Sequence, residues 1–209
     1  MNFRNFFLKL FRTKPIQKET TMKKFLIIGL GNIGDKYTNT RHNIGFKILD
    51  TLAKEYNAIF ETKKLGDVAK FRFKGRTFIL LKPSTYMNLS GKAVKYYLQK
   101  EKIAIESILV VTDDLNINFG TIRIKAKGND GGHNGLKDIQ EKLNTNKYPR
   151  FRFGVGANYS KGRQVDFVLS EWTKEEESLL IERLSIAEKV IISFGTAGLN
   201  NTMNTFNGK

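Results

Sequence analysis

Cysteine is absent from all 209 residues. Its absence excludes disulfide scaffolds, thiol nucleophiles, iron–sulfur clusters and thiolate zinc sites, and makes a reducing compartment the natural home. Long apolar runs are missing too. A membrane span needs roughly 18 such residues, and the longest stretches here, such as residues 25–30, are strand-sized. A soluble, cytoplasmic chain is therefore expected. Histidine occurs only twice, no G-x-S-x-G elbow frames a serine nucleophile, and neither internal repeats nor low-complexity blocks are found. With 40% hydrophobic and 27% charged residues, the length suits one globular domain with a sizeable core.

Acidic side chains are also in short supply, with 20 Asp plus Glu against 36 Lys plus Arg and a formal charge of +16. A polyanionic partner is the first hypothesis, and a solvated basic face that binds nothing is the alternative. The excess concentrates in residues 123–163, which carry ten basic side chains against Asp130, Asp138 and Glu141, whereas the chain from Gln164 onward is net acidic. Residues 1–21 hold five basic groups and one acid, with Phe3, Phe7, Leu10 and Phe11 able to share a helical face. They read as a basic amphipathic extension, poorly ordered, ahead of one domain spanning residues 22–209.

The remaining pattern alternates strands and helices. The continuous apolar run at residues 25–30 predicts a strand buried on both faces, and the spacing of Ile44, Ile48, Leu49, Leu52 and Tyr56 predicts a helix after a glycine-rich turn. Residues 68–73 and 76–81 flank Lys74-Gly75 as a hairpin. Further strands are predicted at 107–111, 121–124 and 151–155, with helices at 91–99, 136–143 and 175–194. The expected fold is a single α/β domain: a twisted, mixed, mostly parallel sheet with helices on both faces.

Gly29-Leu-Gly-Asn-Ile-Gly34 fits G-x-G-x-x-G directly after a strand, which admits a Rossmann nicotinamide site. Nine residues separate it from the helical spacing, however, and Asp50, at about the distance of a ribose-binding acid, lies within the helix, so a plain glycine turn explains the motif equally well. His42 and His133 both stand in loops immediately before an asparagine, with no core-packing role to account for them. A metal site is weakly supported, because two histidines lacking a ligand spacing leave coordination to distant carboxylates. A histidine oriented by a carboxylate can deprotonate water at neutral pH. Asp113 and Asp114 end the strand at 107–111, where open α/β sheets bind ligands. Asn32, Asn43, Asn88 and Asn134 add amides that suit a carbonyl or a developing oxyanion.

Four segments together resemble the bacterial-type peptidyl-tRNA hydrolase family: Gly29-Leu-Gly-Asn-Ile-Gly-Asp-Lys-Tyr-Thr-Asn-Thr-Arg-His-Asn-Ile-Gly-Phe46, Lys82-Pro-Ser-Thr-Tyr-Met-Asn-Leu-Ser-Gly91, Asp113-Asp-Leu, and Gly131-Gly-His-Asn-Gly-Leu-Lys-Asp-Ile139. The resemblance runs from Lys23 to the C-terminal helix and leaves out residues 1–21. It implies a monomeric esterase without metal or cofactor that frees tRNA by cleaving the bond between a peptide and the terminal ribose. It needs no protein partner and its core domain no membrane; its substrate contacts are the acceptor stem and CCA end. His42 matches the catalytic base and Asp113 the paired carboxylate. Asn32, Asn88 and Asn134 match substrate-binding amides, Tyr37, Tyr86 and Met87 the cleft wall, and His133 a supporting position at the substrate. Lys125, Arg150 and Arg152 fall where tRNA phosphate is gripped. Ile33 stands in place of a usual proline and Thr112 in place of a usual histidine. A non-catalytic basic RNA-binding module remains the third reading, though it needs neither Asn-flanked histidine.

Overall fold

The computed structural model describes residues 22–209, so the expected N-terminal extension lies outside the described residues. The run at 25–30 forms β1 (Lys23–Gly29) at the centre of a seven-stranded sheet. Its side chains divide by the period of two: Phe25 and Ile27 enter one core layer, Leu26 and Ile28 the other. An unbroken apolar sequence is what such a doubly covered strand requires.

The other strands are β2 (Glu61–Lys63), β3 (Gly66–Phe73), β4 (Arg76–Pro83), β5 (Ile108–Asp114), β6 (Ile122–Lys125) and β7 (Arg150–Gly154), in the spatial order β2-β3-β4-β1-β5-β7-β6. Pairing is parallel for β4/β1, β1/β5 and β5/β7 and antiparallel at both edges. The expected hairpin joins β3 to β4 through Lys74 and Gly75, at φ 45° and 67°, a two-residue left-handed turn whose twist matches the strands.

Helices α1 (Ile44–Glu55), α5 (Lys174–Ala197) and α6 (Leu199–Phe206) cover one face, and α2 (Ser90–Glu101) and α3 (Asn134–Leu143) the other. A short α4 (Gln164–Val168) precedes α5. The elements β2, α4 and α6 have no counterpart in the sequence reading. Each residue of β2 is exposed, so no alternation marked it, and only its register against β3 makes it a strand. Five residues are too few for α4 to show a helical period. Among the described residues no helix is long and apolar enough to cross a membrane.

Chain order reverses at β1, which has β4 on one side and β5 on the other, with α1 and α2 on opposite faces. A crevice forms at the carboxyl ends of the strands at such a switch point. The glycine motif serves this junction. A Cβ on Gly29 would lie 2.4 Å from the Gly45 carbonyl oxygen, and one on Gly45 would lie 2.4 Å from the Leu30 nitrogen, so α1 abuts β1 backbone against backbone. No α-helix opens within the motif, because short 3-10 turns at Asp35–Tyr37 and Arg41–Asn43 come first. Asp50 pairs with Lys82 on the surface at 2.6 Å. The Rossmann reading is therefore not favoured.

Candidate active site

A cleft of about 690 Å³ opens above the ends of β1 and β5. Of the residues singled out from the sequence, Asn32, His42, Tyr86, Met87, Asn88, Asp113, His133, Asn134 and Arg152 line it. They come from the loop after β1, the turn before α1, the turn before α2, the end of β5, the start of α3, and β7.

Asp113 is buried between the two imidazoles. His42 Nδ1 donates to its carboxylate, at 3.0 Å from Oδ1 and 2.9 Å from Oδ2, and His133 Nε2 donates to Oδ1 at 2.9 Å. The rings lie 4.9 Å apart between centroids. Burial by itself would raise the Asp113 pKa. The two histidines overcome this and hold the carboxyl well below the ordinary carboxylate range. Burial of the His42 ring opposes its charging, but the charge and hydrogen bond of Asp113 outweigh burial and raise its pKa above the ordinary 6.5.

Hydrogen bonding distinguishes the two histidines. His133 is the N-cap of α3, its Nδ1 accepting from the Gly135 and Leu136 N–H groups at 3.1 and 3.3 Å. An accepting Nδ1 carries no proton, so the ring proton is on Nε2 and points at Asp113. Both nitrogens are thus engaged within the protein, and His133 supports Asp113 and α3 from the wall of the cleft. His42 uses only Nδ1, and its Nε2 lone pair has no partner among the described residues.

The same protons bear on metal binding. Ligand atoms of His42, Asp113 and His133 lie within 4.8 Å of one another, close enough to surround a cation. Yet coordination through His133 Nε2 would need a lone pair where this geometry puts the proton, and a ligating histidine normally donates through its other nitrogen. His133 accepts there instead, so the donor set does not fit a metal ion.

The amides divide likewise. Asn43 is buried, its Oδ1 accepting from the Asn32 N–H at 2.8 Å and its Nδ2 donating to the Asn32 carbonyl at 2.9 Å, so it pins the loop instead of meeting substrate. Asn32 Oδ1 accepts the Met87 N–H at 2.9 Å, which leaves its amide NH2 for a ligand. Asn88 and Asn134 are exposed at the cleft. Met87 is buried beneath it and Tyr86 is 55% exposed at its rim.

Tyr37 is not brought into the cleft; it sits in the turn Asp35–Tyr37 beneath the Lys36 ammonium. Lys125 is exposed on the edge strand β6, outside the cleft. Arg150 is buried, its guanidinium donating to the carbonyls of Gly128, Asn129 and Asn146. It ties down the 128–146 region and is not available to a phosphate, which corrects that expectation. Arg152 pairs through Nε with Asp114 Oδ2 at the cleft. Sequence reasoning missed the wall formed by Leu115, Val165, Val168 and Leu169, because three of these four residues come from α4 and its end, where no period showed.

Thr112 is buried and its hydroxyl donates to the Asp113 backbone carbonyl at 3.3 Å, so its hydrogen bond goes to the backbone of the carboxylate residue and not to the carboxylate. Ile33 is 39% exposed.

Known proteins of similar sequence and fold identify the family of the chain. The peptidyl-tRNA hydrolase family model matches residues 26–209. The chain is 54% identical over 186 residues to the peptidyl-tRNA hydrolase of Phocaeicola vulgatus, covering 89% of this chain and 100% of that one. It is 52% identical over 184 residues to that of Porphyromonas gingivalis, covering 88% and 100%. The crystal structure of peptidyl-tRNA hydrolase from Acinetobacter baumannii superposes with a TM-score of 0.83 at 35% identity, covering 89% of this chain and 95% of that one. With the glycine motif, the Asn-flanked histidines and the strand-end aspartate all falling inside the matched span, the chain belongs to the peptidyl-tRNA hydrolase family.

Proposed function

We propose that this enzyme hydrolyses the ester joining a peptide to the terminal ribose of tRNA, with His42 as general base. His42 Nε2 removes a proton from water while the water oxygen bonds to the ester carbonyl carbon. The resulting oxyanion accepts from the Asn32 amide, with Asn88 and Asn134 holding the peptide and the terminal nucleotide. Asp113 stabilises the imidazolium and holds Nδ1–H so that Nε2 faces the cleft. When the C–O bond to the ribose breaks, the imidazolium returns its proton to the departing ribose oxygen, and the carboxylic acid and free tRNA leave.

The observation that carries this reading is the asymmetry of the two histidines on one carboxylate: both His133 nitrogens are engaged, and only His42 keeps one without a partner among the described residues. The acceptor stem and CCA end are held by phosphate contacts from Lys125 and from the two Nη groups of Arg152. The unit acts as a monomer in the cytoplasm, without metal, cofactor or protein partner, and residues 22–209 form the catalytic domain. Residues 1–21 are an appendage to that domain, a reading supported by a family match that begins at residue 26. Incubation with N-acylated and with free aminoacyl-tRNA, following acyl release, tests the proposal. Release from the N-acylated substrate, undiminished by EDTA and lost in His42→Ala, is the expected result. EDTA-sensitive turnover would overturn the metal-free mechanism.

A further inference from the structure

Arg41, which directly precedes the base, is only 4% exposed. A guanidinium taken that far from water needs its charge paired; Nε has no partner among the described residues, and the two Nη groups carry the pairing. Nη1 donates to Ser170 Oγ at 2.6 Å and to the Glu171 carbonyl, and Nη2 pairs with Glu176 Oε2 at 2.6 Å. The Arg41 backbone N–H donates to the Ser170 carbonyl at 3.1 Å. The planar group stands over Phe167 at 4.5 Å and Trp172 at 5.5 Å from the ring centroids. Every one of these partners lies between residues 167 and 176.

That stretch has two other attachments. Val165, Val168 and Leu169, in and just after α4, wall the cleft. Glu176 Oε2, the acceptor for Arg41, also accepts the Thr173 N–H at 2.7 Å in the capping box that starts α5. One side chain therefore joins the turn bearing the base to the segment that walls the cleft, and through Glu176 to the fixed start of the longest helix. On the other side of the turn, Asn43 pins the loop after β1.

We propose that Arg41 is a positioning residue that sets His42 against Asp113 and holds the α4 wall in register with it. The inference rests on the base role of His42 proposed above. Only a planar fork reaches Ser170, Glu171 and Glu176 together while stacking on two aromatic faces, so a lysine cannot replace it.

Arg41→Lys is the informative variant because it keeps the charge. Asp113 and His133 beside the ring, Glu176 beside the guanidinium, and Asp114 and Arg152 in the cleft all remain, so a change reports geometry. Turnover of a short CCA-ended N-acyl substrate is expected to fall roughly tenfold to a hundredfold, as for a misplacement near 1 Å, with KM for full-length tRNA little changed. In the substrate-free protein the His42 ring, followed by proton NMR, is expected to titrate closer to 6.5 than in the parent, because its bond to Asp113 loosens. The chain has only two histidines, so His42→Asn assigns the signals. A folded Arg41→Lys protein whose His42 midpoint is unmoved overturns the proposal, whether or not turnover falls. If that variant does not fold, Phe167→Leu, which removes one stacking face and keeps the ion pair, carries the same two readouts with a smaller expected change, and an unmoved midpoint overturns it equally. Near-parental turnover in His42→Asn would instead sink the base reading, while the ring titration still decides whether Arg41 sets the imidazole.

Discussion

At the scale of single residues the site shows how one carboxylate gives two identical side chains different roles. His133 spends Nδ1 on the α3 N-terminus and Nε2 on Asp113, which leaves His42 Nε2 as the free basic nitrogen. His42→Ala is expected to lower kcat by roughly 100-fold to 10,000-fold with tRNA binding retained. Because His42 has a raised pKa and, as the proposed base, would act when unprotonated, activity should rise with pH through a midpoint above 6.5. In Asp113→Asn that acidic limb should move down, since the charge that favours the imidazolium is gone. The stability term has the opposite trend. The folded protein holds the His42 proton more tightly than the unfolded chain, so this contribution is full below 6.5 and is lost as pH rises through the raised value. Thermal melts across that range, parent against His42→Asn, read it directly. Lys125 and Arg152 should also separate. Lys125→Ala should raise KM for full-length tRNA only, whereas Arg152, which lines the cleft, should affect short CCA-ended substrates as well.

At the scale of elements, the site depends on how closely α1 approaches β1. Gly45→Ala puts a methyl group 2.4 Å from the Leu30 nitrogen and 2.5 Å from its carbonyl oxygen, in backbone that cannot move aside. A loss of about 1–3 kcal/mol in denaturant unfolding is expected, together with reduced turnover in the protein that remains folded, because α1 begins two residues after His42. Thr173→Ala removes the α5 cap and should cost about 0.5–2 kcal/mol. It also loosens Glu176, so its effect should not add to that of Arg41→Lys; a double-mutant cycle measures the coupling. Elements with strong periods were legible in the sequence. β1, α1, the β3/β4 hairpin, α2, α3 and α5 lie where the apolar spacing puts them, with ends differing by a few residues. The short β2 and α4 were not, because pairing and packing, more than any pattern of their own, decide such elements.

At the scale of the whole molecule the +16 charge predicts steep salt sensitivity. Affinity for tRNA should fall linearly on a log–log plot against salt, and removing one phosphate contact, as in Lys125→Ala, should flatten the slope by roughly one. The edge strand that carries Lys125 is held from outside the sheet: Asn207 Oδ1 accepts the Ile124 N–H at 2.6 Å, and Asn207 Nδ2 donates to the Ile124 carbonyl at 3.2 Å. The sequence by itself determined the fold class and the residue types of the site. A doubly covered sheet demands continuous apolar strands, and catalysis by activated water in this chain leaves histidine and carboxylate as the available partners. It also singled out Asn32, His42, Asn88, Asp113 and Asn134, which line one cleft because motifs after strands and before helices converge at the carboxyl edge of such a sheet. Tertiary structure decided what no spacing carries. Two histidines in equivalent Asn-flanked settings present different nitrogens to one carboxylate, and they differ in what the other nitrogen meets. Arg150 and Arg152, alternate residues of one strand, differ only in whether backbone carbonyls or a carboxylate receive the guanidinium. Tyr37 and Arg41 sit four residues apart, and long-range partners between residues 167 and 176 draw Arg41 inward while Tyr37 stays outside the cleft. Partners supplied by other elements are set by packing, and they assign roles within a set of residues that the sequence had brought to one place.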